Sequence, residues 1–386
     1  MNSADPLKIV FFTLEFRDWN SASHWAYPQA IGIADALESQ GAEVTFVPVF
    51  SVHGPVETRA SCWSRHIPAL LKGQKFDQIW FEDVHSYYSD ELMEWISAAA
   101  PVRVAFICES LKLSPAEFET RREGALRREA NSRRNLSMAT HVIALDETDV
   151  EDFNRAGKFK ALWYAGNFIP PDCIAPPSRP PTSATALFYG TVYEERRGWL
   201  EHPSLQGLLV RPQASLEWKT TVPQRFEQLF RDGERYLLSS SSVSLEALRL
   251  FVTEMRALRK KGFLLWLRSL QEGSALVNLP QPSLIIPGRI GEGMAVGRPM
   301  VTWEMPGRPR SRALFKEDSE ILFYQANDPE SLAAVLHRLR QDPEWADAVG
   351  EGGRQATLKR HTTGIFGETA LHWIRTGEEI GASSSG

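Results

Sequence analysis

The chain has 386 residues, 43% of them hydrophobic and 24% charged, with 26 Gly and 24 Pro. At ~150 residues per domain the length predicts two globular domains, and the proportions exclude disorder and fibrous repeats. Lys and Arg number 43 against 48 Asp and Glu, and a formal charge of -5 argues against nucleic acid, whose affinity for proteins comes from neutralised phosphates.

Three widely spaced cysteines (Cys62, Cys108, Cys173), without a C-x-x-C pair, support neither a disulfide framework nor a zinc site. The expected compartment is the reducing cytoplasm. At the N-terminus Lys8 is followed by only about six apolar residues, too few for a signal-peptide core. The best apolar run, Gly262 to Leu267, is broken by Arg268 and falls well short of the ~18 to 20 residues that span a bilayer. A peripheral contact with the inner membrane face stays open.

Lys8 to Leu14 (KIVFFTL) is a continuous β-branched and aromatic run, the pattern of a strand buried on both faces. Helical spacing then covers Tyr27 to Gln40, Gly41 stands where a C-cap belongs, and Ala42 to Phe50 is the next strand. This is a βαβ unit. Phe76 to Phe81, Val102 to Cys108, Thr140 to Leu145 and Ala161 to Tyr164 read as further strands, with helices at Asp90 to Ala100 and Thr148 to Ala156. The first half is therefore expected to be a doubly wound α/β domain with its ligands at the carboxyl ends of the strands.

Pro170 to Ala184 holds six prolines in fifteen residues and reads as stiff, extended linker. After it, Ala186 to Gly190, Arg235 to Leu238, Ala275 to Leu279 and Met300 to Trp303 are expected strands of a second α/β domain. Ser244 to Leu270 reads as a long helix whose basic centre (Arg256, Arg259, Lys260, Lys261) is expected to be a solvated face, with an anionic membrane contact as the alternative. Pro329 to Arg340, Glu344 to Leu358 and Phe366 to Thr376 read as helices. The expected layout is 1–170 as an N-terminal domain, 171–184 as linker, 185–365 as a C-terminal domain, 366–380 as a closing helix returning to the first domain, and a tail at 381–386.

Chemistry concentrates in a few places. Arg289 to Val296 reads as a helix just after Pro287 and Gly288, so its N-terminal dipole end and the Arg289 cation would favour an anion such as a pyrophosphate. One turn in, Glu292 can accept two hydroxyl hydrogen bonds, which is what a ribose diol offers; the alternative is that it merely complements the helix N-terminus. The loop after the first strand carries Asp18 among groups suited to sugar binding, FEDVHS places Glu82, Asp83 and His85 at another strand end, and FICES places Glu109 and Ser110 at a third. Asp18, Glu109 or His85 would act as general base only within ~3 Å of an acceptor hydroxyl.

The stretch GRIGEGMAVGRP (Gly288 to Pro299), the following MVTW and the helical segments beyond resemble the C-terminal domain of group 1 glycosyltransferases of the GT-B fold, whose donor-binding helix reads R-x-x-E-x-x-A-x-G-x-P. SALVNLPQPSLIIPGRI is most similar to the spore-maturation-protein-like branch. The resemblance covers roughly Ser274 to Ile374 and implies two Rossmann-like domains facing across a cleft, with Glu292 on the nucleotide ribose and Gly190, Arg289 and Ile290 around the donor. The loop ALFYG-TVYEERRG implies Arg196 and Arg197 as cations for the donor diphosphate, in place of a metal. Leu284 stands where many retaining members have a first glutamate, and Glu109 stands near the family's histidine.

The implied function is metal-independent transfer of a sugar from a nucleoside-diphosphate sugar to a hydroxyl acceptor, most simply with retention and without a cofactor. A non-catalytic nucleotide-binding partner subunit and a nucleotide-sugar epimerase remain as alternatives.

Overall fold

The computed structural model describes residues 5–16, 27–52, 57–112, 122–165, 168–175, 183–190, 192, 194–211, 228, 232, 235–236, 243–281 and 283–380. Two parallel sheets organise them. The first contains β1 (Lys8–Phe16), β2 (Glu43–Phe50), β3 (Gln78–Glu82), β4 (Val102–Ile107), β5 (His141–Ala144) and β6 (Lys160–Trp163), in the order β2-β1-β3-β4-β5-β6. Every neighbouring pair is parallel. Ile9, Val10, Phe11 and Phe12 are completely buried, as a strand covered on both faces requires.

The helices of this half are α1 (Tyr27–Ser39), α2 (Glu57–Leu70), α3 (Asp90–Ala99), α4 (Arg122–Asn135) and α5 (Glu147–Ala156). Local chemistry sets their ends. Ser89 caps α3 through the amide of Leu92, Asp146 caps α5 through Thr148, and Gly157 closes α5 at φ 65°, a left-handed conformation that suits glycine. Helix α4 has almost no apolar stripe. It is held instead by Asn131 and Asn135, whose side-chain amides donate to the carbonyls of Asp83 and Ser86.

The second sheet contains β7 (Ala186–Phe188), β8 (Leu209–Val210), β9 (Leu276–Asn278), β10 (Met300–Trp303) and β11 (Leu322–Tyr324), ordered β11-β10-β9-β7-β8 and again parallel throughout. Its helices are α6 (Glu194–Glu201), α7 (Leu245–Leu270), α8 (Gly288–Ala295), α9 (Pro309–Ala313), α10 (Pro329–Gln341) and α11 (Pro343–Arg360), followed by α12 (Thr363–Thr376). The expected pair of doubly wound α/β domains is what the structure shows. In each sheet the strand order reverses once, between β1 and β3 in the first and between β7 and β9 in the second, and such points are where open α/β sheets hold ligands.

Helix α12 packs on the first sheet's side of the molecule. Phe366 stacks on Phe168 at 4.5 Å and 11°, the Trp373 ring meets His141, and Gly367 lies so close to α1 that a Cβ there would stand 2.2 Å from the carbonyl of Ala36. Helix α7 reaches the same helix from the other half. Arg256 donates to Glu38 at 2.8 Å and pairs with Asp35, while Lys260 pairs with Asp172 at 2.6 Å. Its basic centre is thus the solvated face expected from sequence only at the exposed Lys261: the acidic side of α1 neutralises Arg256, Arg259 is buried, and Lys260 is partly exposed in its pair with Asp172. Among the described residues no helix is long and apolar enough to cross a membrane. The strand expected at Arg235 to Leu238 is also corrected: Arg235 and Tyr236 are helical, and the rest of that segment lies outside the described residues.

Candidate functional site

The carboxyl edges of the two sheets face each other. Ser110, just past β4, donates its amide to Ser283 Oγ at 2.9 Å and accepts the amide of Leu284 at 3.1 Å, and both of those residues follow β9. Asp146, just past β5, meets Arg308, which follows β10: Nε donates to Oδ1 at 2.7 Å and Nη2 to Oδ2 at 2.9 Å. Glu147 then accepts the Ser311 amide at 2.6 Å and its hydroxyl at 2.8 Å, so the first turn of α9 docks on an acidic helix end.

Around the reversal point of the second sheet, β7 ends at Phe188 and delivers Tyr189 and Gly190, while the chain after β9 delivers α8. Arg289 donates to the carbonyl of Tyr189 at 3.2 Å. A Cβ at position 190 would stand 2.6 Å from Arg289 Nη1, 2.8 Å from Phe188 Cζ and 3.2 Å from Arg196 Nη1, so a side chain there would press on the Phe188 ring and on both guanidinium groups. Arg196 is 2% exposed and lies over the Phe188 ring; its Nε donates to the carbonyl of Pro280 at 2.8 Å and its Nη2 to that of Leu279 at 3.2 Å. Two cations therefore converge beside a backbone bare of side chain.

Glu292 sits on the second turn of α8 and accepts from the indole Nε1 of Trp266 at 2.8 Å. Burial raises its carboxyl above the ordinary range, opposed by the Trp266 hydrogen bond and by the charge of Arg289. The Trp266 ring in turn meets Tyr189 edge-on at 4.7 Å. Burial likewise pushes the Tyr189 phenol up to about 12, so it remains a neutral donor, 3.4 Å from the carbonyl of Ser269.

On the opposite edge, Glu109 joins His85 (Nε2 to Oε1, 3.4 Å) and Arg128 (Nη1 to Oε2, 3.0 Å). Arg128, on α4, also donates to the Ser110 carbonyl. The neighbouring acids have other work. Glu82 folds back onto the turn after β3, accepting from the amides of Val84 and His85 and, at 2.5 Å, from Ser86, while Cys108 donates to it at 3.4 Å. Asp83 is fully buried against Ser132, and desolvation raises its carboxyl well above the usual range. Both acids are structural.

The structure thus brings Gly190, Arg196, Arg289 and Glu292 to one edge, and Glu109 and His85 together on the other. Arg196 and Arg197, read from sequence as part of a loop, lie on α6, where Arg196 is buried and Arg197 exposed. Ile290 is buried in the core, and its amide is already bonded to the Pro287 carbonyl. Asp18 lies outside the described residues. Sequence reasoning missed Trp266, read as part of an apolar run, and Arg128, one arginine among several on a helix without a stripe. Among the described residues no group of three or more His, Cys, Asp or Glu is placed to hold a metal ion.

Residues 267–365 match the family described as Glycosyl transferase-like. No curated protein sequence is significantly similar to the chain. Among solved structures, sucrose-phosphate synthase from Thermosynechococcus elongatus superposes with a TM-score of 0.54 at 13% identity, covering 96% of this chain and 98% of that one. Anabaena HepE in complex with UDP-glucose gives 0.54 at 11% identity, with 96% and 99% covered. An alpha-glucosyltransferase in complex with UDP-glucose and DNA containing an abasic site gives 0.56 at 11%, with 96% and 100% covered. Both sheets, their facing carboxyl edges and these full-length likenesses make this a two-domain protein of the GT-B fold whose segment 267–365 is glycosyltransferase-like.

Proposed function

We propose that the chain is a glycosyltransferase that moves a sugar from a nucleoside-diphosphate sugar to a hydroxyl acceptor. The observation that carries this reading is the convergence of Arg196, Arg289, Gly190 and Glu292 at the reversal point of the second sheet, within or beside the segment that is glycosyltransferase-like. Two buried or half-buried guanidinium groups suit a diphosphate, and the carboxylate one turn into α8 suits the ribose diol. As the glycosidic bond breaks, negative charge grows on the leaving diphosphate, and fixed cations stabilise it most at that moment. In this reading the arginines do that work without a metal, and no cofactor is used.

Glu109 is our candidate for the acceptor side. It follows β4 and adjoins Ser110, which already touches the loop after β9, so its carboxylate lies at the seam where a donor sugar and an acceptor would meet. With an inverting reaction it would take the acceptor proton, with His85 at 3.4 Å as its partner. With a retaining reaction the donor phosphate would take that proton and Glu109 would orient the acceptor; the resemblance favours retention.

The nucleotide half of the reading is tested by Glu292→Gln. The amide keeps one acceptor oxygen and loses the charge-assisted bonds, so affinity for the preferred nucleoside diphosphate is expected to fall about 10- to 100-fold, as loss of roughly 1.5–3 kcal/mol implies. Titration calorimetry on the full chain measures it. Unchanged affinity, with the melting temperature also unchanged, would remove Glu292 from the donor site.

A further inference from the structure

We propose that Trp266 is a positioning residue of the donor site: its indole N–H fixes the Glu292 carboxylate and thereby makes the site selective for a nucleotide with an intact ribose diol. The inference rests on the donor site proposed above and adds a residue that the motif does not contain.

Trp266 comes from the last turns of α7, far from α8 in sequence, yet donates to Glu292 Oε2 at 2.8 Å. An indole nitrogen can only donate, so this bond is made to an acceptor oxygen and favours the ionised, acceptor-only form of the carboxyl. That matters because burial pulls Glu292 the other way, and a protonated carboxylic acid would offer a diol one good acceptor fewer. The bond also chooses an orientation. With Oε2 held by Trp266, Oε1 lies along the first turn of α8, where it would be 3.6 Å from a Cβ at Gly288; position 288 has no side chain to cover it.

Trp266 is itself fixed. The Tyr189 ring meets it edge-on at 4.7 Å, and the carbonyl of the same Tyr189 receives the Arg289 guanidinium at 3.2 Å. The cation suited to the phosphates and the carboxylate suited to the ribose are thus tied through one aromatic pair. Edge-to-face packing holds the indole plane and the N–H direction. A change of ring orientation would move the carboxylate and leave its identity untouched, which is what separates a positioning residue from a ligand-touching one.

The experiment compares wild type, Trp266→Phe and Trp266→His in titrations with UDP, GDP and ADP and with the 2′-deoxy and 2′,3′-dideoxy forms of whichever diphosphate wild type binds. Phenylalanine keeps a ring against Tyr189 and removes the N–H; histidine keeps a ring N–H. Wild type is expected to prefer the ribo form over the dideoxy form by at least about 10-fold. In Trp266→Phe the ribo form should weaken about 5- to 10-fold while the dideoxy form barely changes, so the preference collapses, and Trp266→His should restore part of it. Equal weakening of ribo and dideoxy forms would show that the residue only packs, and an unaltered preference would show that Glu292 needs no help; either overturns the proposal while the donor site stands. Failure of wild type to bind any of the diphosphates would overturn the donor site and this proposal together.

Discussion

Replacing Arg308 by alanine is expected to destabilise the protein by about 3–5 kcal/mol, the usual cost of removing one partner from a buried ion pair. Asp146 is fully buried and Arg308 is 8% exposed, and the two meet through paired bonds of 2.7 and 2.9 Å. Asp146 keeps the Ser110 hydroxyl and the amide and hydroxyl of Thr148 in the variant, but no cation. A carboxylate left that way either pays the desolvation penalty or binds a proton. Because the pair joins the edges of two sheets, the loss should also appear as easier proteolysis of the chain between them. Thermal unfolding with limited proteolysis measures both. Arg308→Met with Asp146→Asn should recover much of the loss, since neither leaves a buried charge. An Arg308→Ala protein as stable and as resistant as wild type would mean that the seam is not closed in solution.

Asp149→Asn is expected to stabilise the protein by about 4 kcal/mol at pH 8 and hardly at all near pH 4. Asp149 is 3% exposed, accepts the Leu111 amide at 2.8 Å, and has its carboxyl raised to about 7, first by burial and then by the charge of Asp146, against lowering by that amide, Lys112 and Arg308. A carboxyl raised in the folded state binds its proton more tightly there than in the unfolded chain. Its contribution is therefore favourable in acid and is lost as pH rises from about 4, the unfolded value, to about 7. Each unit of that shift corresponds to about 1.4 kcal/mol. Asparagine keeps an oxygen for the Leu111 amide and never ionises, so the difference between variant and wild type should grow through that window and level off above it. Denaturant melts from pH 4 to 8 measure the difference; a difference that stays constant over that range would show that the Asp149 carboxyl binds its proton equally well folded and unfolded, and one that turns increasingly against the variant as pH rises would show that the carboxylate is held by its neighbours rather than penalised by burial.

The two sheets were legible because buried parallel strands leave unbroken apolar runs, and KIVFFTL and VRVAFI declare themselves. Helices α2 and α4 were not. Pro68 interrupts the first, and the second is anchored by Asn131, Ser132 and Asn135, which no hydrophobic period reports. The two-residue strand β8 is too short to show a pattern of any kind. Among the site residues, Arg289 and Glu292 could be placed because their spacing is local to one helix. The burial of Arg196 could not, since it depends on carbonyls of Leu279 and Pro280 more than eighty residues away. The same reason hides Trp266: LLWL reads as core, and only the fold shows that its N–H meets Glu292. The pairing of Arg256 in the basic centre of α7 is hidden in the same way, because its partners, Asp35 and Glu38, lie in the other half of the chain.

Transfer chemistry is tested most directly by incubating the full-length protein with UDP-, GDP- and ADP-sugars in EDTA and following diphosphate release and donor-sugar identity by NMR. The expected result is slow release of diphosphate from one nucleotide sugar, insensitive to EDTA and reduced by at least about 100-fold when Arg289 is replaced by alanine, as loss of a charge-stabilising group at a leaving diphosphate implies. Interconversion of the donor sugar without release, or no change in any donor while a diphosphate still binds, would contradict the transferase reading and leave an epimerase or a non-catalytic nucleotide-binding protein in its place.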